Sequence, residues 1–425
     1  MSQPPQSSPS LFRNRNFSLL FSAQLISLAG SGATTVGLAL FAHQLVGGSS
    51  AATVIGNALM LRILAFLLFS QPAGVLADRT NRKLLLILAD LVRVVLMALF
   101  PFVHSVWQVY LMIFLINAAS AFFTPTYDST LPEVVGSDQY VKALSLSRIA
   151  VDMEAVLGPA VAGLLVTLLG LNWLFWFDAA TYLASAALVT ASVLPHVSKP
   201  SIQFSFRTFL GELTYGTRIL LHQAVLRRAL LLNLVEAIAG AAAIVATVVY
   251  VKDVLMLGEN EFVLAMSGLG LGSTVTALFL GWATGRYESS AKGPSELHGR
   301  RHQWTERALL TGGVVLGLIL LPGMKQPPFL LFVGLWLLNG VGQALIALSS
   351  STLLAEHTQK TDRGKAYAAH FALTHMFWLI TYPAIGYGVS SFGAPLTFTI
   401  AGAICSVIAM LAIISRKPNH DHVHR

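Results

Sequence analysis

Apolar runs long enough to cross a bilayer recur twelve times along this chain, near 17–43, 51–76, 83–104, 106–127, 141–169, 173–194, 227–252, 261–285, 306–323, 328–353, 364–391 and 395–415. A hydrocarbon core about 30 Å thick takes roughly 20 residues of helix, and backbone in lipid must satisfy its own hydrogen bonds. The pattern therefore predicts an all-α membrane protein of twelve transmembrane helices. Composition agrees: 55% of the 425 residues are hydrophobic and 11% are charged, against about a quarter charged in soluble proteins. Polar Ser and Gln precede a long first run, which is not the pattern of a cleaved signal, so residues 1–16 read as a frayed cytoplasmic tail.

The runs fall into two six-helix halves, 17–195 and 227–415. Between them lies a polar linker, 196–226, whose segment 205–223 alternates in a helical manner and predicts an amphipathic helix on the inner membrane surface. Residues 416–425 form a second tail. With the N-terminus inside, Lys252 and Lys325 fall in outer loops and Arg62, Arg93 and Arg148 lie within runs, leaving the rest of the 27 Lys and Arg at the inner face. Both termini are therefore expected in the cytoplasm. The net charge of +8 follows from this bias and does not argue for nucleic acid. A single cysteine, Cys405, leaves no disulfide framework or Cys-based metal cluster. No G-x-x-x-x-G-K-[ST] loop is present, so the chain is expected to be no enzyme, to need no cofactor and to draw on an ion gradient.

Between the second and third runs stands a charged turn, Gly74, Asp78, Arg79, Asn81, Arg82 and Lys83. Glycine lets helix ends approach closely, Asp78 can face the positive end of a neighbouring helix, the basic residues resist crossing, and Asn81 tolerates a left-handed turn. This turn resembles the signature of the major facilitator superfamily, which implies that Gly74, Asp78, Arg79, Arg82 and Lys83 form a conformational latch. A degenerate echo, Gly281 to Arg286, follows the eighth run without the Asp. The stretches Phe123–Glu133, Ala143–Ser145 and Gly158–Gly163 look like those of drug:proton antiporter-type exporters, including macrolide and siderophore pumps. Gly158, Pro159 and Gly163 then read as a hinge in the fifth helix.

Ionisable groups in hydrocarbon cost at least ~2.5–3.5 kcal/mol and mark pairs or functional sites. Arg62, Asp90, Arg93, Arg148, Asp152, Glu154, Asp178 and Glu236 qualify. Asp90/Arg93 and Arg148/Asp152 are spaced to neutralise each other on one helix face. At about 1.5 Å per residue, Asp152 lies roughly 16 Å into the fifth run, near the midplane, with Glu154 about 200° around the helix from it. Glu236 has no basic residue within four positions, and a lone, partly desolvated carboxylate is suited to exchange a proton. The proton or cation coupling candidates are thus Glu236, Asp152, Asp178 and Glu154.

The eleventh run carries His370, His375, Trp378 and Tyr382, which join Arg148 as the substrate-cavity candidates. His375, Trp378 and Tyr382 share a helix face, whereas His370 is about 140° away, so the two histidines cannot chelate one ion from an ideal helix. Pro383 is placed to distort that geometry. This stretch looks like the nickel-resistance branch of the exporter group, whose members tend to carry a histidine-rich C-terminus, here His420, His422 and His424. Imidazole suits borderline divalent metals. The expected function is proton-coupled export, by alternating access across a bacterial-type inner membrane, of a divalent cation such as nickel. The alternatives are a multidrug, macrolide or siderophore exporter and, remotely, a non-transporting receptor. The expected partners are the bilayer and a small substrate, with the chain a monomer.

Overall fold

The computed structural model describes residues 11–194, 206–290, 294–359 and 362–415. These are helical almost throughout, and the described residues contain no strand. In order run α1 (Arg15–Val46), α2 (Ser50–Arg79), α3 (Arg82–Leu99), α4 (Val106–Val135), α5 (Ser137–Leu169), α6 (Leu171–Ala191) and α7 (Phe206–His222). α8 (Ala224–Ala241) is carried on to Val254 by two π-helical turns, Ala242–Ala246 and Tyr250–Val254. Then come α9 (Glu259–Ser290), α10 (Pro294–Leu320), α11 (Phe329–His357), α12 (Arg363–Phe392) and α13 (Ala394–Ile414). Ten of these helices are long and apolar enough to cross a membrane. With α5 (33 residues) and α12 (30 residues), they match the twelve expected runs. α7 is the linker helix.

Helix faces are inverted relative to those of a water-soluble bundle. α3 turns Leu84, Leu88, Leu91, Val92, Val95 and Leu99 outward while burying Asp90 and Arg93. A chain surrounded by hydrocarbon gains nothing by hiding leucine, and must hide its charges instead. Joints are short where glycine takes a conformation closed to other residues: Gly136 (φ 76°) alone links α4 to α5, and Gly170 (φ 92°) alone links α5 to α6.

Two compact units result, one of Met1–Gly37 with Leu61–Gln203 and one of Leu38–Met60 with Phe204–Arg425. In the first, Phe17, Leu20, Leu86, Phe123, Tyr127 and Val189 pack one end of the core. The tail expected over 1–16 is structured from Leu11 onward. Leu11–Arg13 forms a 3₁₀ turn with Leu11 buried, and Asn14 caps α1 through its Oδ1 while its Nδ2 donates to Val134 O (2.8 Å). α4 runs on through Pro125 and Pro132 to Val135, beyond the expected end at 127.

In the second unit, α7 lies on protein. Gly216 abuts the Lys365 carbonyl and Ala369 of α12, Tyr215 Oη donates to Asp362 Oδ2 (3.3 Å), and Lys365 Nζ stands 5.0 Å over the Tyr215 ring. The amphipathic face anticipated for the membrane surface is therefore at least partly spent on a helix–helix contact. The echo at Gly281 falls inside α9, which continues to Ser290.

Candidate functional site

Each unit holds its own buried polar centre. In the first, Asp178 of α6 is fully buried. Thr34 Oγ1 on α1 donates to Asp178 Oδ2 (2.6 Å), and Thr181 Oγ1, which donates to the Asp178 carbonyl (2.8 Å), lies 3.2 Å from Oδ1. Beside them Ser31 Oγ donates to Ser27 O and so accepts from Tyr182 Oη (2.9 Å). Close approach of α1 depends on Gly30, where a Cβ would stand 2.3 Å from Asp178 Oδ1. The pair expected from spacing is formed: Arg93 is ion-paired with Asp90, whose Oδ2 accepts from Ser185 Oγ (2.8 Å). The Arg93 guanidinium also lies 4.6 Å and 4.3 Å from the Phe123 and Tyr182 ring centres.

Glu154 sits on α5 against α1, where a Cβ on Gly32 would be 2.7 Å from the Glu154 carbonyl and 2.9 Å from Gly158 Cα. Gly158 thus marks a close crossing of α5 and α1, with Pro159 buried beside it and Gly163 half-buried within an unbroken helix. Arg62 reaches Thr35, with Nη1 donating to Oγ1 (3.3 Å). The Arg148 and Asp152 side chains lie outside the described residues.

In the second unit, Asn233 of α8 links two expected residues. Its Nδ2 donates to Glu236 Oε2 (3.0 Å), and its Oδ1 accepts from His370 Nε2–H of α12 (3.2 Å). The protonated nitrogen of His370 is fixed by this bond, because a carbonyl oxygen only accepts. His375 is held by its own helix: Nδ1–H donates to Phe371 O (2.8 Å) and the ring lies 3.7 Å, centre to centre, from that of Phe371. Trp378 packs on Gly240, where a Cβ would be 2.2 Å from its ring, and lies 5.1 Å from Tyr382. Thr381 Oγ1 donates to Ala237 O (3.2 Å), closing the α8–α12 contact. Among the described residues, neither His370 nor His375 belongs to a group of three potential metal ligands. His420, His422 and His424 lie outside the described residues.

The charged turn is tied down by its basic residues. Arg82, buried, donates from Nε to Ala77 O (3.2 Å) and from Nη1 to Ser129 O (2.9 Å) and Glu133 Oε1 (2.6 Å), joining the end of α2 to that of α4. Lys83 Nζ donates to Thr190 O and Ser192 O at the end of α6 (both 2.7 Å). Arg79 is exposed. Two expectations are corrected. Asn81 is extended (φ −70°, ψ 105°) and acts as an N-cap, its Oδ1 accepting from Leu84 N, so side-chain capping replaces the left-handed turn. Gly74 has nothing within 4 Å of where a Cβ would stand and mediates no close approach. The Asp78 side chain lies outside the described residues.

Asn233, Thr34, Thr181, Ser31 and Tyr182 were not foreseen. Asn233 alone left a trace, three positions before Glu236 and hence on its face.

Comparison with known proteins adds the ancestry. Over 96% of its length the chain is 22% identical to the Uncharacterized MFS-type transporter YfiS of Bacillus subtilis, of which 95% is covered. It is 26% identical to Macrolide efflux protein A of Streptococcus pyogenes over 48% of this chain and 51% of that one. In fold it is similar to the crystal structure of the nucleoside transporter NupG, at a TM-score of 0.69 and 14% identity over 94% of this chain and 98% of that one. The family model described as Major Facilitator Superfamily matches residues 20–294 and 229–424, and the chain belongs to that superfamily of membrane transporters.

Proposed function

We propose that this chain is a proton-coupled exporter of amphipathic organic compounds, working by alternating access in a cell inner membrane with both termini in the cytoplasm. The observation that carries the coupling is the Glu236–Asn233–His370 chain, a carboxylate inside an apolar span whose described hydrogen bond comes from a neutral amide. Such a carboxylate can be satisfied with or without a proton, as a coupling site requires. Asp178, held by hydroxyls, is the corresponding group of the first unit.

An organic substrate is preferred to nickel for two reasons. The α12 residues are largely aromatic: His375 Nδ1 is bonded to Phe371 O, and Trp378 lies beside Tyr382. The similarity to Macrolide efflux protein A spans about half of each chain. The metal reading rests on His375 and His370 with the tail histidines, and a siderophore substrate is a variant of the organic one.

The test is growth protection by the intact chain and Glu236→Gln, at matched membrane expression, against macrolides, other amphipathic drugs, nickel, cobalt and iron. The expected result is drug tolerance above the empty-vector level, lost in Glu236→Gln, with metal tolerance unchanged. Metal tolerance raised by the intact chain and lowered by His375→Ala would overturn the organic assignment. Undiminished, pH-dependent export by Glu236→Gln would move coupling to Asp178, Asp152 or Glu154. The latch is tested alongside: Asp78→Asn is expected to insert normally and to export slowly.

A further inference from the structure

We propose that His302, Glu356 and His357 form a binding site for one divalent transition-metal ion of the zinc, cobalt or nickel kind, joining α10 to the end of α11. Each residue offers a ligand atom, and these atoms all lie within 4.8 Å of one another. His302 Nδ1 is 3.8 Å from Glu356 Oε2, too far for a hydrogen bond, and the two imidazole centres are 4.9 Å apart. In a tetrahedral site with bonds of 2.0–2.2 Å, ligand atoms stand roughly 3.4 Å apart, so the set closes around an ion by side-chain shifts of about 1 Å.

The residues behind the proposed ligands are already held by hydrogen bonds. His357 Nδ1–H donates to Leu353 O (3.0 Å), which leaves Nε2 as the nitrogen that offers a lone pair. The turn carrying Glu356 and His357 is fastened carbonyl by carbonyl. Thr358 Oγ1 donates to Leu354 O (2.6 Å), Arg363 Nη2 to Ala355 O (2.9 Å) and Gln223 Nε2 to His357 O (2.9 Å). A rigid support of this kind holds ligands in place before the ion arrives. The end of α11 also presents the negative pole of its helix to a cation.

The location suits an ion arriving from water. The apolar span of α10 begins at His302 and that of α11 ends at His357, so the site lies where membrane gives way to solvent. The His302 and Glu356 side chains keep 24% and 10% of their exposure. One turn along α10 from His302, Glu306 is ion-paired with Arg228, which makes it a poor competitor for the ion. Two imidazole nitrogens and one carboxylate oxygen favour a borderline transition metal over magnesium or calcium. The site belongs to α10 and α11, apart from the Glu236 chain on α8 and α12, and rests on neither substrate reading.

The test uses the purified full-length chain without a polyhistidine tag, stripped with chelator and titrated with Co²⁺ followed by visible absorption, and with Zn²⁺ followed by calorimetry. The expected result is one equivalent bound with the intense d–d bands of low-coordinate cobalt. These should persist in full-length protein carrying His420→Ala, His422→Ala and His424→Ala together, and be lost in His302→Ala and His357→Ala. Glu356→Gln should weaken binding at least about tenfold. Zn²⁺ should raise the thermal midpoint of the intact chain and leave that of His302→Asn, made in case His302→Ala fails to fold, unmoved. No stoichiometric uptake, or uptake that the tail substitutions abolish while the His302 and His357 variants keep it, would overturn the site.

Discussion

A carboxylate inside a membrane protein meets one of two fates here, and the neighbouring side chain decides which. Asp90 is paired with Arg93, and the guanidinium is further held between the Phe123 and Tyr182 rings. Removing either partner of that pair would leave the other buried without its counter-charge. Asp178 and Glu236 are bonded to hydroxyls and an amide, which serve the ionised and the neutral form alike. The sequence marked the carboxylates plainly, because charge in an apolar run is rare. Asn233 aside, it could not mark their partners, because Thr and Ser are ordinary in spans and only three-dimensional neighbourhood distinguishes Thr34 from any other threonine. The Asp178 site also depends on a missing side chain. Gly30→Ala would put a Cβ 2.2 Å from Thr181 Oγ1 and 2.3 Å from Asp178 Oδ1. Overpacking of this kind costs about 1–3 kcal/mol. The expected outcome is a lowered thermal midpoint in detergent together with slowed transport. An unchanged midpoint would mean that α1 can shift away at no cost.

Among the elements, the ends of α2, α3, α4 and α6 are fastened by two cations. Arg82 spends its guanidinium on Ala77 O, Ser129 O and Glu133, and Lys83 its ammonium on Thr190 O and Ser192 O. Each therefore satisfies carbonyls at or near helix ends, a task distinct from setting topology. Arg82→Lys keeps the charge but cannot reproduce the fork of donors. It is expected to cost on the order of 1–3 kcal/mol, the usual penalty for unmaking hydrogen bonds of a buried charged group. Arg82→Gln, lacking the charge as well, should cost more. Thermal unfolding of the three proteins in one detergent checks the ranking, and equal midpoints for Arg82→Lys and the intact chain would show that the fork carries no weight. The helices themselves were readable because length and apolarity are one-dimensional properties. The docking of α7 on α12 was not, since an apolar stripe looks the same whether protein or lipid covers it. The His302, Glu356 and His357 cluster escaped for a related reason: its members stand at the ends of runs, where polar residues are unremarkable until the fold brings them together.

For the whole molecule, the distribution of basic residues predicts one orientation, with both termini in the cytoplasm. Lys252 and Lys325 are the exceptions in that expected topology, so one labelling experiment tests the direction of the bundle. The chain supplies its own silent background, because its single cysteine, Cys405, is fully buried against Val235 O. Lys325 and His222 are both exposed, one in the short turn after α10 and the other at the end of α7. In intact cells a membrane-impermeant maleimide is expected to label Lys325→Cys within minutes, to leave the parent chain unlabelled, and to reach His222→Cys only after permeabilisation. Labelling of His222→Cys from outside, with Lys325→Cys protected, would invert the bundle. The side of the membrane to which the Arg82 and Lys83 ties face would then be reversed.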